Sequence, residues 1–179
     1  TTTILNNFQG QSSPFYPPDA NGAVGHDYYV QTINCILAVY NKAGVLILGP
    51  VQVNYFFQGV IGANCNSGDP IALYDEQADR WLIAEMSLCN SNDVILVAIS
   101  ETNDPTGRWY RYSFETDDMP DYEKLGVWQD GYYMGTNTVY KDAFGDPHWE
   151  GDDIYVMERS QMLNGSPAQI VAFDNPWRP

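Results

Sequence analysis

The chain has 179 residues, enough for one domain with a sizeable core, and it is rich in aromatic residues, with 13 tyrosines, but poor in Lys and Arg. Its formal charge of -15 repels duplex nucleic acid and anionic lipid headgroups. No apolar run approaches the ~20 residues of a membrane-spanning helix, so membrane insertion is not expected either. The remainder is an acidic, β-rich chain, because aromatic and β-branched side chains fit a pleated, half-buried surface. Such a surface suits Ca²⁺, cationic partners, neutral glycans or plain solubility. No signal-like segment opens the chain, so an export signal is expected to have been removed or to lie outside it.

In chain order, the first patterned segment is PPDANGAVGHDYYVQTIN, residues 17–34. It predicts strands over residues 28–34, 35–40 and 45–48, with a turn at 41–44. A connector containing Gly and Asn follows over residues 51–66. The second segment, SGDPIALYDEQADRWLIAEMS, opens a unit with four predicted strands: 71–75, 80–88, 94–100 and 108–114. Asp104-Pro105-Thr106-Gly107 is a turn, with Pro where φ must be preset and Gly at its end. The third segment, MPDYEKLGVWQDGYYMGTN, leads into strands at 132–139, 154–158 and 168–173, and its Asp130-Gly131 pair predicts a two-residue type I′ hairpin. Residues 160–163 form one expected helical turn.

The three segments share a plan: an aspartate beside a small residue or Pro, a short apolar stretch, a turn, then an aromatic strand. Asp69 stands 12 residues before Trp81, and Asp121 stands 12 before Tyr133; Leu73 and Leu125 match at one offset. Asp19, Asp69 and Asp121 follow one another at intervals of 50 and 52 residues. A period near 50 with several strands per unit is the pattern of β-propeller blades. The predicted fold is therefore all-β: blades of four antiparallel strands over residues 17–50, 67–114 and 119–173, with a fourth starting at Asp174. About three and a half blades do not close a ring, which needs at least ~4. The segment is thus expected to belong to a larger ring or to one completed by copies of itself, with residues 1–8 as a candidate outer strand for another blade. The competing reading is a β-sandwich without a repeat.

Pairing Asp75 with Asp79 would set Leu73 opposite Trp81 and Ile71 opposite Ile83. Extending that ladder brings Cys65 opposite Cys89, so a Cys65–Cys89 disulfide is expected, and with it an oxidising, extracellular compartment. Cys35, in an apolar strand, is expected to be a buried thiol. No CxxC pair exists, which argues against a zinc site.

Candidate chemistry starts with the aspartates that open the units. In a propeller the innermost strand of each blade lines the central channel, so Asp19, Asp69 and Asp121 are expected near one mouth of it. Converging carboxylates are the equipment of a glycoside hydrolase, one acting as acid and another as base or nucleophile. The plainer reading, which the repetition itself favours, is that each Asp caps its own turn. Asp19 and Asn21 lie in a DANG string that resembles the start of a Ca²⁺ loop. Asp142, Asp146, Glu150, Asp152 and Asp153 form a second acidic candidate for Ca²⁺, the one cofactor the sequence suggests. Trp128, Trp149 and Trp177 are candidates for stacking on sugar rings or for packing between blades. With only His26 and His148, and neither HExxH nor G-x-S-x-G, protease- and esterase-type sites lack support.

The strings PPDANGAVG, SGDPIALYDEQADRW, NDPTGRWYRYSF and PDYEKLGVWQDGYYM resemble a family of large, secreted, mostly uncharacterised bacterial proteins described as propeller-like or sialidase-like. The resemblance runs from about Phe8 to Leu163. It implies a secreted or cell-surface location and a longer parent protein, and it carries over no reaction. The sialidase Asp-box, S-x-D-x-G-x-T-W, is not met at Ser67-Gly68-Asp69-Pro70. Together these features lead to an extracellular, non-enzymatic module that binds glycan or protein or takes part in surface assembly. The alternative is a carbohydrate-active hydrolase using the three aspartates.

Overall fold

The computed structural model describes Ile4, residues 6–89 and residues 93–173. Asp174 and Trp177, the expected start of a fourth unit and one stacking candidate, lie outside the described residues. Among the described residues, twelve strands form three separate four-stranded antiparallel sheets, each in simple sequential order. The first holds β1 (Asn21–Val24), β2 (Tyr28–Ile33), β3 (Ile36–Asn41) and β4 (Leu46–Gln52). The second holds β5 (Ile71–Asp75), β6 (Arg80–Ser87), β7 (Val94–Ser100) and β8 (Trp109–Glu115). The third holds β9 (Met119–Val127), β10 (Tyr132–Lys141), β11 (Pro147–Met157) and β12 (Ile170–Phe173). A 3-10 turn, Val53–Phe57, follows β4, and a single helical turn, α1 (Arg159–Met162), precedes β12.

The sheets stack face to face, with two cores between them. Val30, Leu37 and Val39 meet Trp81, Ile83, Leu96 and Ala98, with Phe56 and Trp109 closing that layer edge to face. Leu82, Ala84, Val97 and Ile99 meet Tyr132, Met134, Tyr155 and Met157, with Met162 beneath them. Successive side chains of a strand point to opposite faces, so Trp81 and Leu82 serve different cores. The second sheet is covered on both sides, which is why VILVAIS of β7 is apolar at every position but Ser100 and buried along its whole length. β10 alternates buried and half-buried positions because only one of its faces is covered.

The first strands of the three sheets lie side by side, β1 next to β5 and β5 next to β9. Asn21 Oδ1 accepts from the Ala72 amide (2.9 Å), and Thr32 Oγ1 donates to the Pro70 carbonyl (2.9 Å), tying the first sheet to the second. A buried ion pair ties the second to the third. Arg159 donates from Nε and Nη2 to the two oxygens of Asp75 (2.7 and 3.0 Å), and Tyr132 Oη adds a third bond (2.9 Å). Burial alone would raise the Asp75 pKa, but these donors outweigh it and hold the carboxyl below its ordinary range.

Several local expectations change. Leu73 pairs with Leu82, and Asp75 pairs with Arg80, one residue beyond the expected register. The turn is four residues long. Asp75 Oδ1 accepts from the Gln77 and Ala78 amides, and Asp79 takes a left-handed φ of +57° to close it. Asp130-Gly131 likewise sits in a four-residue loop, with Val127 paired to Tyr132, rather than in a two-residue type I′ turn. The disulfide between Cys65 and Cys89 is present, with Cα atoms 6.0 Å apart. It does not depend on the extrapolated ladder, since β5 starts only at Ile71. Instead the connector folds back along the end of β6, where Ser87 Oγ donates to the Gly62 carbonyl and the Leu88 amide to Ser67 Oγ.

Leu73 and Leu125 are not equivalent positions. They enter the same core from opposite sides, while Trp81 is buried and Tyr133 lies on the outward face of the third sheet. A bulge explains the slip. β9 and β10 change register between Gly135 and Asn137, with Tyr122 at a φ of +53°. Of the candidate outer strand 1–8, residues 1–3 and 5 lie outside the described residues, and residues 6–13 pack on the first sheet. Phe8 packs on Tyr29 and Tyr40, Gln11 bonds Gln31 and Ser13 bonds the Asn34 carbonyl, all within the first sheet's own unit.

Candidate functional site

The unit-opening aspartates occupy unusual backbone positions. Asp19 and Asp69 have φ values of +38° and +54°, a left-handed conformation that a short polar side chain tolerates better than most. In the third unit the left-handed residue is Tyr122 rather than Asp121, because the bulge shifts the chain by one. Asp19 and Asp69 stand two residues before β1 and β5, so their side chains meet at one end of these adjacent strands, whereas Asp121 lies within β9.

Asn34, in the tight connection between β2 and β3, organises the pair. Its Nδ2 donates to Asp19 Oδ2 (2.8 Å) and to the Pro17 carbonyl (3.2 Å), and it reaches Asp69 Oδ1 at 3.5 Å. Its Oδ1 accepts from the Asp69 amide (3.2 Å) and from the Cys35 thiol (2.9 Å). Asp19 thus bonds a neighbouring side chain rather than capping its own turn. Asn34 Nδ2 stands between Asp19 and Asp69, and the two acids line one pocket. Burial, then the charge and hydrogen bond of Asp19, push the Asp69 pKa up to about 6. Two like charges this close favour one shared proton. Asp121 pairs with Asn137 on β10; its charge reaches Asp69, but its side chain does not line the pocket.

The pocket is small, about 100 Å³, and is bounded by Asp19, Asn21, Asp69, Pro70, Tyr122 and Lys124. Lys124 is its only cation. Its Nζ donates to the Glu123 carbonyl (2.8 Å) and lies 3.2 Å from the centre of the Tyr122 ring, a cation–π contact. Behind the rim are two buried acids that sequence reasoning did not single out. Glu85 accepts from the Gly68 amide through Oε1 (3.3 Å), its Oε2 is unpartnered, and burial raises its pKa to about 8. Glu123 is 1% exposed with neither oxygen bonded, and burial lifts its pKa well above the ordinary range. Glu85 is therefore largely a protonated carboxylic acid at neutral pH, and burial drives Glu123 in the same direction. The Cys35 thiol is pushed up to about 11 by burial and by Glu85, Asp69 and Asp19, which makes it unreactive.

The other candidates lie elsewhere. Asp142 caps the β10–β11 hairpin loop, accepting from the Phe144 and Asp146 amides and pairing with His148 Nε2 (3.1 Å). Asp146 and Glu150 flank that hairpin, Asp152 is exposed, and Asp153 is buried with Tyr155 Oη bonded to it. Among the described residues, no group of three or more His, Cys, Asp or Glu side chains is arranged to hold a metal ion. Trp128 and Trp149 are 62% and 64% exposed and are separated from the pocket. The sequence pointed to Asp19 and Asp69 through the repeat. Asn34, Tyr122, Lys124 and the two buried glutamates carried no comparable signal, because each enters through a contact between units.

No family model, curated protein or solved structure matches the chain. No helix among the described residues is long and apolar enough to cross a membrane.

Proposed function

We propose that the three sheets are consecutive blades of a secreted β-propeller and that this segment binds a glycan or a protein surface without turning it over. The observation that carries this reading is the cluster in which Asn34 holds Asp19 and Asp69 together at one small pocket. A glycoside hydrolase separates its two carboxyl groups by roughly 5–10 Å across a pocket that admits a sugar. Here the two acids share one hydrogen-bonded cluster beside a space of about 100 Å³, well below the ~300 Å³ at which small-molecule sites begin. A ligand therefore rests on the rim rather than entering. The rim offers what a polar partner needs: acid acceptors at Asp19 and Asp69, a donor at Lys124 and the half-exposed ring of Tyr122. The Cys65–Cys89 bridge supports an oxidising compartment, and the adjacency of β1, β5 and β9 supports a common axis.

The test is a glycan and protein-ligand panel on the native chain, with Tyr122→Ala and Asp69→Asn as variants. Binding that weakens in both variants, with no product released by the parent, is the expected result. One observation favours the hydrolase alternative: the raised Asp69 acid would suit a proton donor. Turnover of any glycoside that disappears in Asp69→Asn would establish that alternative and remove the binding-only reading.

A further inference from the structure

The stack of sheets has two outward faces, and they differ. Beyond the first sheet the chain seals itself: Phe8 lies on Tyr29 and Tyr40 and Gln11 bonds Gln31. Ala38 and Tyr40 are buried there although no sheet lies beyond them. Beyond the third sheet nothing described covers the strands. Tyr133, Val156 and Val171 form one row across β10, β11 and β12, and Gly135, Ile154 and Phe173 form the next. Ile154 is 52% exposed and Phe173 55%, while Tyr155 and Met157 on the opposite side of β11 are buried.

The two interfaces inside the chain follow one rule. A β-branched or leucine-rich side of one sheet meets the side of the next that carries the large residues of its first hairpin. Val30 and Val39 meet Tyr74 and Trp81; Leu82 and Val97 meet Tyr132 and Met134. The outward side of the third sheet, with Ile154, Val156 and Val171, repeats the first half of that rule and lacks the second.

We propose that this face receives a further four-stranded sheet of the same repeat, docked through the aromatic side of its first hairpin. The occupant is chosen by continuity with the two interfaces already formed. A second copy of the chain fits less well. Its first sheet is already covered by residues 6–13, and twofold pairing of third sheets would oppose exposed Asp152 residues in a molecule of charge -15. The proposal rests on the blade reading given above, but loss of docking with rim binding intact would sink this inference alone.

The test fuses a second copy of residues 53–118, which keeps the connector and the Cys65–Cys89 bridge, to the end of the full chain and introduces Ile154→Arg into both the parent and the fusion. In the parent, where Ile154 faces solvent, the substitution leaves the melting midpoint nearly unchanged. In the fusion the added sheet melts together with the parent at a higher midpoint, its tryptophan emission is blue-shifted, and Ile154→Arg reverses both effects. An added sheet that stays unfolded, melts separately or ignores Ile154→Arg overturns the proposal. So does sedimentation showing that the 179-residue chain dimerises by itself in an Ile154→Arg-sensitive way, which would make a second copy the occupant.

Discussion

The buried acids make this protein's stability depend on pH in a direction opposite to that of its salt-bridged carboxylate. Glu85 has a folded pKa of about 8 against an ordinary value of 4.5, so between those values the folded state holds a proton that the unfolded state has lost. Its contribution therefore declines as pH rises through that window and levels off above about 8. Each unit of the window is worth about 1.4 kcal/mol, so Glu85→Gln is expected to gain stability of a few kcal/mol at pH 8 and little at pH 4. Denaturant titrations at the two pH values check this; equal effects at both would refute a protonated Glu85. Asp69 acts in the same sense over a lower window, from 3.8 to about 6. Asp75 acts in the other sense. Its lowered pKa supplies stability that is present above the unfolded value and is lost as pH falls through the folded one.

At the scale of strands and hairpins, the sequence marked most of the segments that pair, but it left out β1 and β9, began β11 at 154 rather than at Pro147, and did not show how each turn sets the register. The apolar run of β7 was legible as a strand, though its cover on both faces was not, and the repeated aspartates marked roughly where each sheet begins. The slip of one residue in the second hairpin came from the Asp75 side chain, which gathers two amides into a longer turn than spacing alone suggests. The bulge at Tyr122 moved the third unit's left-handed residue off Asp121, a shift that repeat matching cannot detect. The Asp75–Arg159 pair was invisible for a similar reason: its partners stand 84 residues apart in sequence. Removing one partner strands a buried charge, so Arg159→Ala is expected to cost about 3–5 kcal/mol, with Arg159→Lys only partly restoring it because the two-pronged contact is lost. Urea unfolding of both variants measures this. Leu82→Ala, which opens a hole in the second core, should cost about 2–5 kcal/mol by the same measurement.

For the molecule as a whole, the disulfide and the free thiol give separable readouts. The Cys65–Cys89 bridge closes a loop with a sequence separation of 24 residues. Chain-entropy reasoning gives such a loop about 3 kcal/mol, so the double Cys→Ala variant should unfold at a correspondingly lower denaturant concentration. Cys35 should resist thiol reagents in the native protein and react fully once it is unfolded; rapid labelling of the native chain would contradict its burial. The high negative charge also predicts that moderate salt raises the melting midpoint, because screening relieves repulsion across the acidic surface.

The strap formed by residues 6–13 has a consequence for how the polypeptide emerges from the ribosome. Those residues are synthesised before the first sheet, so the cover for that sheet is already in hand when its strands complete. Each later sheet then lands on the face its predecessor has just finished, and every pairing joins neighbours in sequence. During vectorial synthesis no more than one bare apolar sheet face needs to wait for a partner at any moment, which limits the window for misassociation between nascent chains.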